Sequence, residues 1–159
     1  MTDTEGKRGP AASDRETFLR MSRQRQKDTR PEILTRRILH RLGHRFRIAN
    51  RDLPGSPDIA NRHRRWAVFV HGCYWHRHEG CPRATTPKRN REFWMEKFEA
   101  NQARDRRVAD KLRNRGFTVL TVWECETRDL EALEERLGRE LPPDHSSGAH
   151  SKGGSLRRS

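Results

Sequence analysis

The sequence predicts a mixed α/β domain, a small central sheet flanked by helices with a metal-stapled loop set into it. Three observations carry that prediction. The run Trp66 to Val70 is β-branched and aromatic and reads as a buried strand. Amphipathic helix patterns stand before and after it in the chain, so helices must cover a sheet. Directly behind the run, Gly72 breaks the strand and His71, Cys73, His76, His78 and Cys81 crowd into one loop.

Composition sets bounds. At 159 residues the chain supports one domain. We expect a disordered arm over residues 1–13, the folded domain over 14–141 and a disordered tail over 142–159. Apolar residues make up 31% and charged residues 36% of the chain, against about 25% charged in an average domain. The core is therefore concentrated in a few elements, and a metal staple would support it. The net charge is +13, with Arg well ahead of Lys. Arg presents a planar fork to phosphate, and a basic chain of this kind most often binds nucleic acid. A GC-rich genome would also enrich Arg. Met1 to Pro10 is polar, with no apolar core of a signal peptide. No apolar stretch approaches the ~18 residues of a membrane span. Three cysteines, an odd number, argue against a closed disulfide framework. The expected setting is cytoplasmic and reducing, where Cys and His clusters bind metal.

The elements follow in order. Residues 14–27 carry Phe18, Leu19 and Met21 among five basic residues, which fits either a surface helix or a basic arm on a phosphate backbone. Thr29-Arg30-Pro31-Glu32 has capping-box spacing with Pro in the first turn. Ile33, Leu34, Ile38, Leu39 and Leu42 then give a helix one apolar face, and Gly43 stops it. Glu32 is either the capping carboxylate or an acidic group at an active site. His44 to Ile48 alternates as a strand, with Phe46 and Ile48 on one face. Pro57-Asp58-Ile59-Ala60 opens a second strand, Asn61 to Arg65 turns, and Trp66 to Val70 returns as its partner. That hairpin brings Asp58 near Val70 and His71. A long helix covers about Glu92 to Arg115, with Gly116 behind it as a C-cap. Phe117 to Trp123 is a strand, and Asp129 to Leu141 a final helix with i, i+4 charge pairs.

Cys73, His78 and Cys81, with Cys125 far downstream, offer a Cys3His set, a common tetrahedral zinc arrangement. It would pin the loop to the end of a strand and use every cysteine in the chain. Pro57-Asp58 before a hairpin resembles the first half of the PD-(D/E)xK core of restriction-endonuclease-like domains, in which a carboxylate holds Mg2+ against the scissile phosphate. The usual acid and lysine of the next strand are missing; Val68, Phe69, Val70 and His71 stand there. A backbone carbonyl at Val70 could complete the Mg2+ site, and His71 and His76 could move protons. Tyr74 and Trp75 lie in the metal loop and Trp94 opens the long helix, with Arg77, Arg83, Lys88, Arg89, Arg91 and Lys97 around them. Aromatics among basic groups suit base stacking or intercalation, while packing of the loop on the helix is the structural alternative.

From Met21 to about Leu137 the chain resembles the very short patch repair (Vsr) endonucleases. The resemblance rests on Met21 with Lys27 to Glu32, on Leu53 to Ile59, on Phe69-Val70-His71-Gly72-Cys73-Tyr74-Trp75-His76, on Glu92-Phe93-Trp94 with Lys97 and Asn101, and on Val122 to Cys125. It implies an enzyme that nicks double-stranded DNA 5′ of the T in a G·T mismatch left by 5-methylcytosine deamination. It also implies a monomer acting on the bacterial nucleoid, with mismatch-repair proteins as accessories. Carried over, Asp58 and the Val70 carbonyl would ligate Mg2+, with His71 and His76 serving the phosphate and its water and Glu32 supporting them. Cys73, His78, Cys81 and Cys125 would hold zinc. Tyr74, Trp75 and Trp94 would enter the DNA stack, Met21 would approach from the opposite groove, and Lys97 and Asn101 would read bases. Val70 stands where a Thr can stand, so only its main-chain carbonyl could serve there. Tyr74 stands in place of a Phe and keeps the stacking face. Two rivals stand beside a mismatch nickase: a restriction-type nuclease of the same core, cutting matched duplex on both strands, and, from another class, a zinc-stapled DNA-binding module without chemistry.

Overall fold

The computed structural model describes residues 27–143. The expected arm over 1–13, the amphipathic segment up to residue 26 with Met21, and the tail beyond Pro143 lie outside the described residues.

Helix α1 (Arg30–Arg41) begins where the capping pattern places it. The Glu32 N–H donates to Thr29 Oγ1 at 3.4 Å. The Glu32 carboxylate reaches back one residue beyond the usual box and accepts from the Asp28 N–H at 2.9 Å. Strands β1 (Arg47–Ile48), β2 (Ile59–Asn61) and β3 (Trp66–His71) follow, then helix α2 (Arg91–Asn114), strand β4 (Thr118–Trp123), a 3-10 turn (Glu124–Arg128) and helix α3 (Leu130–Glu140). The sheet order is β1-β2-β3-β4. The first three strands form an antiparallel meander, while β4 runs parallel to β3. A parallel neighbour requires a crossover, and α2 is that crossover.

The period-2 alternation of β3 builds three layers. Trp66 and Val68 face one side, where Ile38 and Leu39 of α1 and Leu133 and Leu137 of α3 join them in the larger core. Ala67 and Phe69 face the other, against Leu112 and Val108 of α2. Fully burying an aliphatic side chain is worth about 1.5–3 kcal/mol, so Ile38, Leu39, Leu133 and Leu137 hold their helices in place. His71 continues the α2-facing series, which directs the last residue of β3 towards α2.

Two contacts seat the loop in front of β2. Asn50 is buried, and its side-chain amide donates to the Arg47 carbonyl at 2.9 Å and the Pro57 carbonyl at 3.2 Å, clasping both ends of the loop. Gly55 has φ +68°, and a Cβ built there would lie 2.2 Å from Val108 Cγ1. Only glycine lets α2 press onto this loop.

The order helix, three strands, long helix, strand, helix matches the expectation; the first strand does not match in detail. It shrinks from His44–Ile48 to the two residues Arg47–Ile48. Phe46 packs on the larger core, whereas Ile48 is 49% exposed. The cause is local. Ala49 adopts φ +58° and turns the chain away, leaving Ile48 on a short edge strand.

Candidate active site and metal centre

The hairpin register delivers Asp58. Ile59 pairs with Val68, so Asp58 stands one step before the ladder, beside the end of β3. Its Oδ2 accepts the Val70 N–H at 2.7 Å. A residue in an extended strand presents its N–H and C=O to the same edge, so the Val70 carbonyl belongs to the Asp58 side. Burial pushes the Asp58 carboxyl up from 3.8 to about 6. The Val70 hydrogen bond and Arg36 oppose that rise, and the Glu32 carboxylate adds to it. A carboxylate held at such a cost, beside a backbone carbonyl and a second carboxylate, is an oxygen donor set that suits Mg2+.

Glu32 is the capping carboxylate and also stands close enough to Asp58 to act on its charge. Arg36 holds it from below, with Nη2 at 3.2 Å from Glu32 Oε2 and Nη1 at 2.6 Å from Asp28 Oδ1.

Beside Asp58 along the sheet end, His71, His76 and Asp105 form a cluster. The rings of His71 and His76 stack with centroids 3.8 Å apart and planes 9° from parallel. His76 Nδ1 lies 2.6 Å from Asp105 Oδ2. Burial pushes the Asp105 carboxyl up, but the His76 hydrogen bond and the charges of His76, His71 and Arg104 outweigh it and leave it below the ordinary carboxylate range. Asp105 is thus an acceptor, His76 Nδ1 donates to it, and Nε2 is the His76 nitrogen left for other partners. Burial, with the charges of His76 and Arg104, holds His71 down to about 4 against the pull of Asp105. The donor atoms of this trio lie within 4.8 Å of one another. The two imidazole lone pairs lie in nearly parallel planes and do not converge on one ion, so the arrangement suits proton transfer better than metal binding.

Asp105 is the functional candidate that the sequence reading missed. Its placement depends on the rotation of α2 against a loop 29 residues away. One signal was present: Lys97, Asn101 and Asp105 recur at i, i+4, i+8 and share a helix face.

The Cys3His set does converge. Cys73, His78, Cys81 and Cys125 have ligand atoms within 4.8 Å of one another. Cys73 Sγ and Cys125 Sγ lie 3.8 and 3.2 Å from His78 Nδ1. Tetrahedral zinc with S and N ligands requires separations of about 3.6 Å, so the residues fit such an ion. Burial pushes the Cys73 thiol up to about 12, and a bound cation would reverse that by holding the thiolate. His78 stacks on Trp123 at 4.4 Å, and the Trp123 ring meets His71 edge-on at 5.5 Å. The Cys3His cluster is therefore linked to His71 through the Trp123 ring.

The aromatics pack on one another. Tyr74 meets Trp75 at 5.2 Å and Phe98 at 5.3 Å, and Trp75 meets Trp94 at 6.1 Å. Trp94, expected in the DNA stack, is only 2% exposed. In this DNA-free form it is the floor on which the half-buried Trp75 stands, because the turn of α2 directs it at Phe98. Asn101, expected to read bases, donates to the Trp75 carbonyl at 3.2 Å and so holds the metal loop. Lys97 lies along Phe93, with Nζ 6.0 Å from the ring centre.

The Asp58 site and the His71–His76–Asp105 cluster open on one groove of about 1820 Å³, lined among others by Glu32, Asp58, His71, His76, Lys97 and Asp105. Small-molecule pockets span about 300–1,000 Å³; this one is larger, open and rimmed with arginine. Among the described residues no helix is long and apolar enough to cross a membrane. The fold and site define a hydrolase that works on a nucleic-acid backbone. The family model for DNA mismatch endonuclease Vsr matches residues 12–83. The chain is 49% identical to the type II nicking enzyme V.XorIIP of Xanthomonas oryzae over 123 residues, covering 77% of this chain and 90% of that relative. It is 40% identical to the type II nicking enzyme V.NmeAIP of Neisseria meningitidis, over 71% of this chain and 80% of the relative. It is also 40% identical to the DNA mismatch endonuclease Vsr of Escherichia coli, over 70% of this chain and 74% of the relative. The chain belongs to the Vsr family of DNA mismatch endonucleases.

Proposed function

We propose that this endonuclease nicks one strand of duplex DNA on the 5′ side of the T in a G·T mismatch, with Mg2+ at Asp58 and structural zinc at Cys73, His78, Cys81 and Cys125. The observation that carries this reading is the pairing, at one sheet end, of Asp58 bonded to the Val70 N–H and the His76–Asp105 couple. When bound, Mg2+ supplies Lewis-acid charge against the scissile phosphate. Asp58 and the Val70 carbonyl hold it, and Glu32 supports Asp58. His76 Nε2 takes the proton of the attacking water, while Asp105 fixes the tautomer and stabilises the imidazolium that forms. His71, stacked on His76, keeps that ring in its plane and faces the phosphate. The water oxygen bonds to phosphorus, the bond to the 3′ oxygen breaks, and that oxygen takes a proton from solvent. The products are a 5′-phosphate and a 3′-hydroxyl.

Trp75 and Tyr74, with Met21 from the other groove, stack beside the mismatch, and Trp94 joins them once the aromatic cluster opens onto DNA. Lys97 and Asn101 contact bases next to it. The folded unit is one domain over 14–141 and acts as a monomer in the bacterial cytoplasm, on nucleoid DNA, with mismatch-repair proteins as accessories. The names of the relatives, mismatch endonuclease and nicking enzyme, support this reading. The test is a labelled duplex with a single G·T mismatch beside a matched control. A nick 5′ of the T that requires Mg2+ and is lost in Asp58→Ala supports the proposal; cleavage of the matched duplex, or binding without cleavage, refutes it.

A further inference from the structure

We propose that Arg104 is a further catalytic residue, whose guanidinium binds a non-bridging oxygen of the scissile phosphate on the His76–Asp105 side of the site. The inference rests on the phosphodiester reading above and extends it to a group that the sequence did not single out.

The phase of α2 places Arg104. Asn101, Arg104 and Val108 share a helix face at i, i+3, i+7. Asn101 is fastened to the Trp75 carbonyl at 3.2 Å, and Val108 sits over Gly55. Those two contacts fix the rotation of the helix. Arg104, between them, is directed into the gap between the metal loop and the loop that carries Asp58. It lines the groove together with Asp58, His71 and His76.

Its own contacts leave it available. Nη2 lies 3.9 Å from Asp105 Oδ1, too long for a hydrogen bond, and the side chain is 59% exposed. Asp105 meanwhile uses its other oxygen for His76. Two arginines that share the groove have partners of their own. Arg77 donates to the Thr85 carbonyl and Thr86 Oγ1 and lies over Phe98. Arg113 pairs with Asp110. Arg106 also lines the groove, but stands about 200° around the helix axis from Arg104, away from the face set by Asn101 and Val108.

The charge balance requires such a group. Asp58, Glu32 and Asp105 all line the groove, and hydrolysis adds negative charge to the phosphoryl oxygens. The Asp58 side can recruit a cation from solution. The imidazole side has to find its cation in the chain, and Arg104 is the guanidinium beside it. A planar fork fixed near the reacting phosphate stabilises the transition state more than the ground state.

The test is single-turnover nicking of the G·T duplex at saturating enzyme and Mg2+. Arg104→Ala should slow the chemical step about 10²-fold or more, with duplex affinity and melting temperature close to those of the parent. Added guanidinium ion should restore part of the rate. Phosphorothioate at the scissile position gives a second readout. Of its two diastereomers, the one not rescued by Mn2+ should slow the parent enzyme but no longer slow Arg104→Ala. A parental rate in Arg104→Ala, a loss confined to duplex binding, or unchanged sensitivity to that diastereomer would overturn the proposal. A parent enzyme that leaves the mismatch uncut would instead sink the endonuclease reading itself.

Discussion

Replacing Asp58 by Asn should abolish nicking and stabilise the protein. Burial lifts the Asp58 carboxyl from 3.8 to about 6, so ionising it in the folded chain costs about 3 kcal/mol more than in the unfolded chain. The sign follows from the raised value. Well below the unfolded value of 3.8 the group is protonated in both states and costs nothing. As pH rises towards 6 the unfolded chain ionises first, and the parent loses stability; above that the deficit is constant. Asn is neutral throughout, and its Oδ1 can still accept the Val70 N–H. The variant should therefore unfold at higher urea than the parent at pH 8, by up to about 3 kcal/mol, or on the order of 10 °C in melting temperature. The gap should narrow as pH falls and close well below 3.8. The measurement is urea unfolding of zinc-loaded protein in Mg2+-free buffer, without chelator, at pH 4, 6 and 8. Added Mg2+ should then raise the stability of the parent alone, because only its carboxylate gains a ligand. A variant less stable than the parent at pH 8, or a gap independent of pH, would refute the claim that this site holds a disfavoured charge in readiness for a metal.

Three further expectations follow from the geometry. Gly55→Ala meets both a left-handed φ and the Val108 methyl groups, and should lose about 2–5 kcal/mol in denaturant titrations. Adding Val108→Ala should recover the steric part, and simple additivity of the two changes would count against the close approach. Asp105→Asn keeps the shape but removes the charge behind His76; single-turnover nicking should fall about 10²–10⁴-fold with duplex affinity unchanged, and a normal rate would remove His76 as the base. Cys125→Ser should lower the bound zinc measured by elemental analysis and cost several kcal/mol of stability, whereas full zinc content with parental melting would exclude the Cys3His centre.

Much of this was legible in the chain, for identifiable reasons. The Trp66–His71 strand, the α1 cap and the metal loop are local in sequence, so period, capping pattern and ligand spacing report them directly. Asp58 could be placed near Val70 because a tight hairpin makes the register nearly local as well. Asp105 and Trp94 were beyond that reach. Both depend on how a helix is rotated against a loop, and that rotation is decided by Val108 meeting Gly55 and Asn101 meeting the Trp75 carbonyl. Such contacts leave no spacing in the sequence. Ile48 misled because an alternating pattern says nothing about where an edge strand runs out of partners.

The parallel pairing of β3 with β4 has a consequence for when the protein becomes dangerous to DNA. Asp58, His71 and His76 leave the ribosome early, but the surfaces that organise them come later. Asp105 arrives with α2, and Trp123 and Cys125 come only with β4 and the turn after it. Until then β3 lacks its neighbour, the metal loop lacks its fourth ligand and His71 has no ring against its edge. A nascent or truncated chain thus carries the reactive residues without a working site. A chain cut before β4 should therefore fail to nick DNA.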